Sequence, residues 1–399
     1  MLSPESTATV RATLPAVGAA IGEITRLFYA RMFADHPELE RNLFNRGNQA
    51  AGTQQQALAG AIAGYATLLV QQSEPATGPL LARIAHRHAS LGITRDQYRV
   101  VHTYLFAAIA EVLGEAVTPE VAAAWDEVYW LMAGELIALE GRLYQEAGVA
   151  EGEVWQQAEV LDRRQESRDS VSFTLRPTES AATGFRPGQY LGVAVVLPDG
   201  ARQIRQYSLS AAPGPGTWRI TVKRVHGPAA AGPDGEVSGW LHANLRTGDK
   251  VTVSRPFGDL TLEDGDGPLL LASAGIGVTP MAGMLDHLAR TGSTRRVIAV
   301  HGDRSPADHA HAAELADRIA ALPAAELHRW YQEPGTGPGA GHSGQVDLAG
   351  LDLPDGLTAY LCGPLPFMRA ARTELLRRGV PAAAIRYEVF GPDLWLASA

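Results

Sequence analysis

Cysteine is almost missing: Cys362 is the single one in 399 residues. That excludes an internal disulfide framework and any zinc or iron–sulfur site built on cysteine alone. Long apolar runs are missing too. None approaches the roughly 18 residues a membrane-spanning helix needs, and the opening Met1-Leu2-Ser3-Pro4-Glu5-Ser6 lacks the basic and apolar regions of a secretory signal. Basic excess is also lacking. A formal net charge of −9 argues against a nucleic-acid partner, whose phosphates demand a basic face. The expectation is a cytoplasmic protein with no transmembrane segment and no obligatory protein partner. What is present is a globular composition, 46% hydrophobic and 19% charged, in a chain long enough for two or three cores.

The chain changes grammar twice. Residues 1–147 read as helices throughout. Leu14, Val17, Ile21, Ile24, Leu27, Phe28 and Met32 recur at helical spacing until His36-Pro37 stops the run. Further helices are expected over roughly 53–72, 79–91, 95–115 and 119–147, and Thr94-Arg95-Asp96-Gln97 has the order of a capping box. Residues 147–152 break the pattern as a linker. Over 153–260 the period falls to two, as in Val171, Phe173 and Leu175, with Pro and Gly between the runs; a small antiparallel barrel is expected. From 266 to 399 short apolar runs, such as Leu269–Ala272 and Ala359–Cys362, lead directly into helical segments. That is the βαβ order of a doubly wound parallel sheet. The Gly/Pro-rich stretch 334–344 reads as a surface loop.

Several short motifs carry chemistry. Gly275-Ile276-Gly277-Val278-Thr279-Pro280 follows a buried strand; its glycines let backbone approach a pyrophosphate, and Pro280 suits the first turn of the next helix. In the strand-rich segment, Arg205-Gln206-Tyr207-Ser208 offers a phosphate clamp, a ring to cover a flavin and a hydroxyl for its edge. Gly235-Glu236-Val237-Ser238 opens a helix. Each alone is equally an ordinary turn, strand or cap. In order, with Cys362-Gly363-Pro364 and Tyr387-Glu388-Val389-Phe390-Gly391 after them, they resemble the ferredoxin–NADP reductase family over 153–392. The resemblance implies an FAD barrel followed by a nicotinamide domain. It implies that Tyr207 and Ser208 contact the flavin ring, Tyr190 the adenine side, Glu388 and Phe390 the flavin face, and that Cys362 lies near hydride transfer.

A reductase needs an acceptor, and the helical half is where it should lie. Of twelve histidines, His88 stands one turn beyond Ile84 and two beyond Leu81, on an apolar face. An imidazole there either ligates haem iron or is a satisfied core residue. Tyr98, in the first turn of the next helix, and Glu140, among apolar residues of the last, are placed to fold back on it. A carboxylate on the outer ring nitrogen would strengthen the imidazole as a donor.

Phe28-Tyr29-Ala30-Arg31-Met32-Phe33, His36-Pro37-Glu38-Leu39, Phe44-Asn45, Gln54, Ala57-Leu58 and the run Trp125–Tyr144 resemble the globin domain of flavohaemoglobins, and with the reductase portion the likeness spans nearly the whole chain. It implies haem b held by His88, with Tyr98 and Glu140 as activating partners. Tyr29, Gln54 and Leu58 would form the oxygen-side pocket, with Phe44 packed on the haem. The implied activity is conversion of nitric oxide and O2 to nitrate, electrons passing from NADH or NADPH through FAD to haem. Flavin, ferric or lipid-hydroperoxide reduction, and plain oxygen binding or sensing, are rival readings, and a bound lipid is a further possibility of this kind of protein. One departure stands out. Arg87 occupies the place where such proteins commonly carry lysine, and a planar guanidinium bonds differently from an ammonium. Arg304 could meet a 2′-phosphate and Asp303 a ribose hydroxyl, so the coenzyme stays open here, with a lean to NADH from the resemblance. The loop 226–234 and the tail 393–399 suggest no role.

Overall fold

The computed structural model describes residues 2–71, 77–178, 184–214, 216–227, 234–335 and 341–395. Most of the loop 226–234, the middle of the Gly/Pro-rich stretch and the end of the tail therefore fall outside the described residues. The chain divides into two compact units. One comprises Met1–Trp155, Val196–Ile204 and Gly391–Ala399, the other Gln156–Val195 and Arg205–Phe390.

The first unit is helical: α1 (Pro4–Asp35), α2 (Pro37–Asn42), α3 (Arg46–Ala50), α4 (Thr53–Gln71), α5 (Gly78–Leu91), α6 (Arg95–Leu113) and α7 (Pro119–Glu146). The sequence signals act where expected. α1 stops one residue before His36-Pro37, because the residue preceding a proline is pushed out of the helical region. The Gln97 side chain accepts from the Thr94 N–H at 2.9 Å, closing the capping box that starts α6. α5 ends on Gly92 in the left-handed region (φ +77°), where a Cβ would come within 2.7 Å of the Gly152 carbonyl. Two apolar clusters hold the helices, one around Tyr65, Leu81, Tyr98 and Trp125, the other around Ile24, Phe28, Tyr29 and Leu105.

Two sheets follow. β1 (Trp155–Ser167), β2 (Ser170–Pro177), β3 (Tyr190–Val196), β4 (Arg202–Ser208), β5 (Trp218–Lys223) and β6 (Lys250–Ser254), with α8 (Glu236–Asn244), make a six-stranded sheet in the order β4-β3-β6-β1-β2-β5. The pairs β1/β2, β2/β5 and β3/β6 are antiparallel. The expected barrel is not closed. β4 and β5 remain edge strands, and past the end of β4 a single bridge, Leu209 with Ile220, reaches β5. One bridge in place of a ladder leaves the ring open.

β7 (Leu269–Ala274), α9 (Val278–Arg290), β8 (Val297–Asp303), α10 (Ala312–Ala320), β9 (Ala325–Tyr331), β10 (His342–Ser343), β11 (Thr358–Cys362), α11 (Leu365–Arg377) and β12 (Ile385–Glu388) form an α/β layer whose six strands run β10-β9-β8-β7-β11-β12. Every pair is parallel. β10 arises inside the stretch read as loop. The chain leaves β7 toward β8 on one side and returns to β11 on the other. The ends of β7 and β11 therefore flank the switch point where such sheets bind ligands. Among the described residues, no helix is long and apolar enough to cross a membrane.

Candidate functional site

In the helical unit the geometry centres on His88, near the end of α5. Its Nδ1 lies 2.8 Å from Glu140 Oε1 and 3.0 Å from the Tyr98 hydroxyl, and Tyr98 itself donates to the same carboxylate oxygen at 2.5 Å. Glu140 is 2% exposed. A carboxylate so buried costs several kcal/mol unless it is paired and hydrogen-bonded, and two donors converge on it. Burial, and then the Glu140 charge, push the Tyr98 phenol far above its ordinary range, so it stays a donor. With Nδ1–H committed to Glu140, Nε2 is the lone-pair nitrogen. Among the described residues it has no hydrogen-bond partner, and the side chain keeps 33% exposure. That is the chemistry of an axial iron ligand, so the residues present fit a haem. His88, Tyr98 and Glu140, expected together, are together.

Tyr29, Gln54, Leu58 and Phe44 also gather. Tyr29 is buried, and burial raises its phenol well above the usual value, with the Gln54 side chain pulling the other way. Its ring packs 4.6 Å from Phe28, 5.6 Å from Phe33 and 5.7 Å from Phe44. Leu58 and Phe44 lie against the same apolar cluster. Beside it is a cavity of about 30 Å³ lined by Val17, Ile62, Leu105, Ile109, Trp125 and Met132, among others. Arg87 is half-buried on α5 and has polar contacts of its own. Nothing in the residue spacing pointed to this cavity, which four separate helices create.

In the second unit the motif residues cluster at two helix starts. Gly277 packs on the end of β11: a Cβ there would lie 2.2 Å from the Cys362 carbonyl oxygen and 2.7 Å from the Gly363 nitrogen. Gly275 adopts φ +54°, open to L side chains only with strain. No side chain caps α9, the Val278 N–H turns back on the Gly275 and Ile276 carbonyls, and Thr279 and Pro280 lie in the first turn; an uncapped helix start offers its positive end to an anion. These groups fit a pyrophosphate. Cys362 is fully buried opposite Glu388 across the β11/β12 register, and burial with the Glu388 charge pushes its thiol up. Gly363 packs on Phe367 and Ala274, Pro364 precedes α11, and Phe390 is 44% exposed while Gly391 begins the tail.

At α8, Gly235 accepts from the Ser238 hydroxyl at 3.1 Å, Ser238 accepts from the Val225 N–H at 3.2 Å, and Val237 is buried beneath. The Ser238 side chain thus fixes the loop. The helix start again carries no side-chain cap. On β4, Arg205, Gln206 and Tyr207 are half-buried and Ser208 buried; burial raises the Tyr207 phenol against the opposing pull of Arg205. Tyr190 is buried, paired by backbone to Phe257, its ring held where Gly258 leaves room. These residues fit a flavin dinucleotide.

The structure adds residues the sequence did not disclose. His301 and His309 stack with ring centroids 3.8 Å apart, His301 bonds Ser273 at 2.9 Å and lies 3.5 Å from Asp303, and His309 bonds Tyr331 at 2.8 Å. They come from β7, β8, β9 and a loop, so no local spacing reveals them. The only available hint was a polar His-Gly-Asp closing an apolar strand. Arg304, expected as a possible phosphate ligand, is bonded to Asp308 at 3.0 Å.

Comparison with known proteins agrees with this geometry. Residues 26–136 match the Globin family and residues 271–373 the oxidoreductase NAD-binding domain family. A flavohemoprotein of Bordetella parapertussis is 43% identical, covering 98% of this chain and 99% of its own length. The crystal structure of flavohemoglobin from Malassezia yamatoensis with bound FAD and heme superposes with a TM-score of 0.88 at 36% identity, covering 98% of this chain and all of that one. The flavohem-like FAD/NAD-binding domain of nitric oxide dioxygenase from Vibrio cholerae matches at TM-score 0.55 and 36% identity, over 59% of this chain and 99% of that one. The chain belongs to the flavohemoproteins.

Proposed function

We propose that this flavohemoprotein is an NAD(P)H-dependent nitric oxide dioxygenase, built as a haem domain (1–147), an FAD domain (153–260) and a nicotinamide domain (266–399). The observation that carries the reading is the triad of His88, Tyr98 and Glu140 in one chain with a glycine cradle at the switch point of a parallel sheet. When bound, haem supplies oxygen binding and oxidation, FAD the change from two-electron to one-electron transfer, and NAD(P)H the hydride.

The protein's residues do the rest. Glu140 holds the Nδ1 proton and leaves the Nε2 lone pair of His88 for iron, whose imidazole ligand it would make a stronger donor. Tyr98 fixes Glu140. Tyr29, kept protonated by burial beside Gln54, would offer a hydrogen-bond donor to a partly negative oxygen entering this pocket. Leu58 and Phe44 keep water out, and the apolar cavity beside them suits small apolar gases. Arg87 retains the positive charge next to His88. On the reductase side, Gly275, Gly277 and the uncapped start of α9 seat the coenzyme pyrophosphate. Arg205, Tyr207, Ser208 and the start of α8 seat FAD, and Glu388 and Cys362 stand at the strand ends where hydride would pass.

The test is direct. Adding nitric oxide to the air-saturated holoprotein should consume NADH and yield two nitrates per NADH, since a hydride carries two electrons and each nitrate takes one, with a Soret band in the spectrum. His88→Ala should lose the band and the turnover. Nitrate formation by a protein without that imidazole would end this reading.

A further inference from the structure

On the helical unit a set of aromatic side chains leads from Tyr98 to the surface. The Tyr129 hydroxyl donates to the Tyr98 backbone carbonyl at 2.5 Å. The Tyr129 ring meets the Trp130 ring edge-on at 5.2 Å, and Trp130, 39% exposed, stacks on His102 at 5.2 Å. His102 is itself stacked on Phe106 at 4.3 Å and bonded through Nε2 to Asp126 at 2.7 Å. At the inner end the Tyr98 ring lies 6.0 Å from the His88 ring.

Burial alone explains Phe106. It does not explain an indole held at the surface by a ring whose nitrogen is tied to a carboxylate. Indole and phenol are the side chains most readily oxidised by one electron. The first link runs through the Tyr98 backbone carbonyl and its hydrogen bond to Tyr129, the second through the ring edge of Trp130, and a carboxylate stands at each end. Tyr98 can lose an electron while its proton shifts along the 2.5 Å bond to Glu140. Trp130 can lose an electron at the surface, where Asp126, one turn before it on α7, lies on the same helix face and favours the positive charge.

We propose that Tyr98, Tyr129 and Trp130 form a one-electron exit route that lets a hydroperoxide be reduced at the haem side while an aromatic donor is oxidised at Trp130. This rests on the haem reading above. The O–O bond takes two electrons and two protons and leaves as alcohol and water. Tyr98 gives the two electrons one after the other, its proton moving to Glu140 each time, and the two protons for the oxygens come from water. Trp130 replaces each electron through Tyr129, and Glu140 returns the proton to Tyr98. A small phenol at the surface then gives Trp130 an electron and releases a proton to water. Two phenols are oxidised per hydroperoxide. Where no phenol is present, the indole itself is consumed.

The experiment treats the haem-loaded full chain with hydrogen peroxide and reads rapid-freeze electron paramagnetic resonance and peptide masses. The wild type should show a tryptophan radical and oxygen added at Trp130, suppressed by a phenol. Trp130→Phe should abolish that radical and slow phenol oxidation, with nitric oxide consumption unchanged. Tyr129→Phe should cut Trp130 oxidation to the level of the haem-free chain while the radical stays on Tyr98. The route is refuted if Trp130 is oxidised equally in Tyr129→Phe or in the haem-free chain, or if peroxide leaves no oxidised Trp130 in a protein with a normal Soret band. A chain that takes up no haem overturns both this inference and the function it rests on.

Discussion

Single atoms decide most at the residue scale. Glu140 is buried, and each of its donors replaces water it gave up on folding. Tyr98→Phe removes one donor without removing volume. The expected cost is about 1–3 kcal/mol of stability, seen as a lower urea midpoint at unchanged slope; a midpoint equal to wild type would mean that Tyr98 does not support the carboxylate. Tyr29→Phe acts on the ligand instead. A hydrogen bond to a charged acceptor is worth about 1.5–3 kcal/mol, so the rate of oxygen dissociation should rise about 10- to 100-fold. Stopped-flow release of oxygen measures it, and an unaltered rate removes Tyr29 from the oxygen side.

At the scale of elements, Gly277 is the tightest point of the reductase cradle. Its missing Cβ is what lets the β7 turn lie on Cys362 and Gly363. Gly277→Ala cannot be relieved by a flexible side chain, since the obstacle is backbone. The flavin in this variant should be reduced by NADH at least about tenfold more slowly, while the Soret band stays in place; anaerobic stopped-flow absorbance reads both, and normal flavin reduction would show that the cradle does not seat the coenzyme. The same comparison shows what a sequence can disclose. Helix ends were legible because their causes are local: a proline after His36 and a capping box at Thr94. Motif glycines were legible because close backbone approach leaves no alternative residue. Openness of the antiparallel sheet was not, since it depends on whether β4 and β5 meet, and nothing within either strand says so. α2, α3 and β10 are too short to leave a periodic pattern. The His301/His309 stack and the Trp130/His102 stack escaped for a third reason: their members lie on different elements, and only the fold makes them neighbours.

Over the whole molecule, the two units carry different titratable loads. In the helical unit Tyr29, Tyr65, Tyr98, Tyr129 and Tyr144 are all raised above 10.0, burial being the first cause in each. Their contribution is fully present below pH 10 and is lost as pH rises through the folded values, because the unfolded chain ionises first. In the second unit His242, His301 and His309 are buried and lowered from 6.5, again by burial first. Stability tied to them is present above pH 6.5 and is lost as pH falls below it, since unfolding lets them take up protons. For Glu166 and Glu314, also in that unit, burial pushes the carboxyl up, but His311 with Arg164 or Arg219 outweighs it and holds both below 4.5, so they add a second loss below that value. Acid should therefore loosen the second unit. Hydrogen exchange, corrected for intrinsic rate, should show protection of β8 and α8 falling between pH 6.5 and 4.5. In His309→Gln that slope should flatten, because one proton-accepting site of the unfolded chain is gone. If β8 is protected equally at both pH values in the wild type, burial of these histidines does not govern acid stability, and the stacked pair must be held neutral at no cost to the fold.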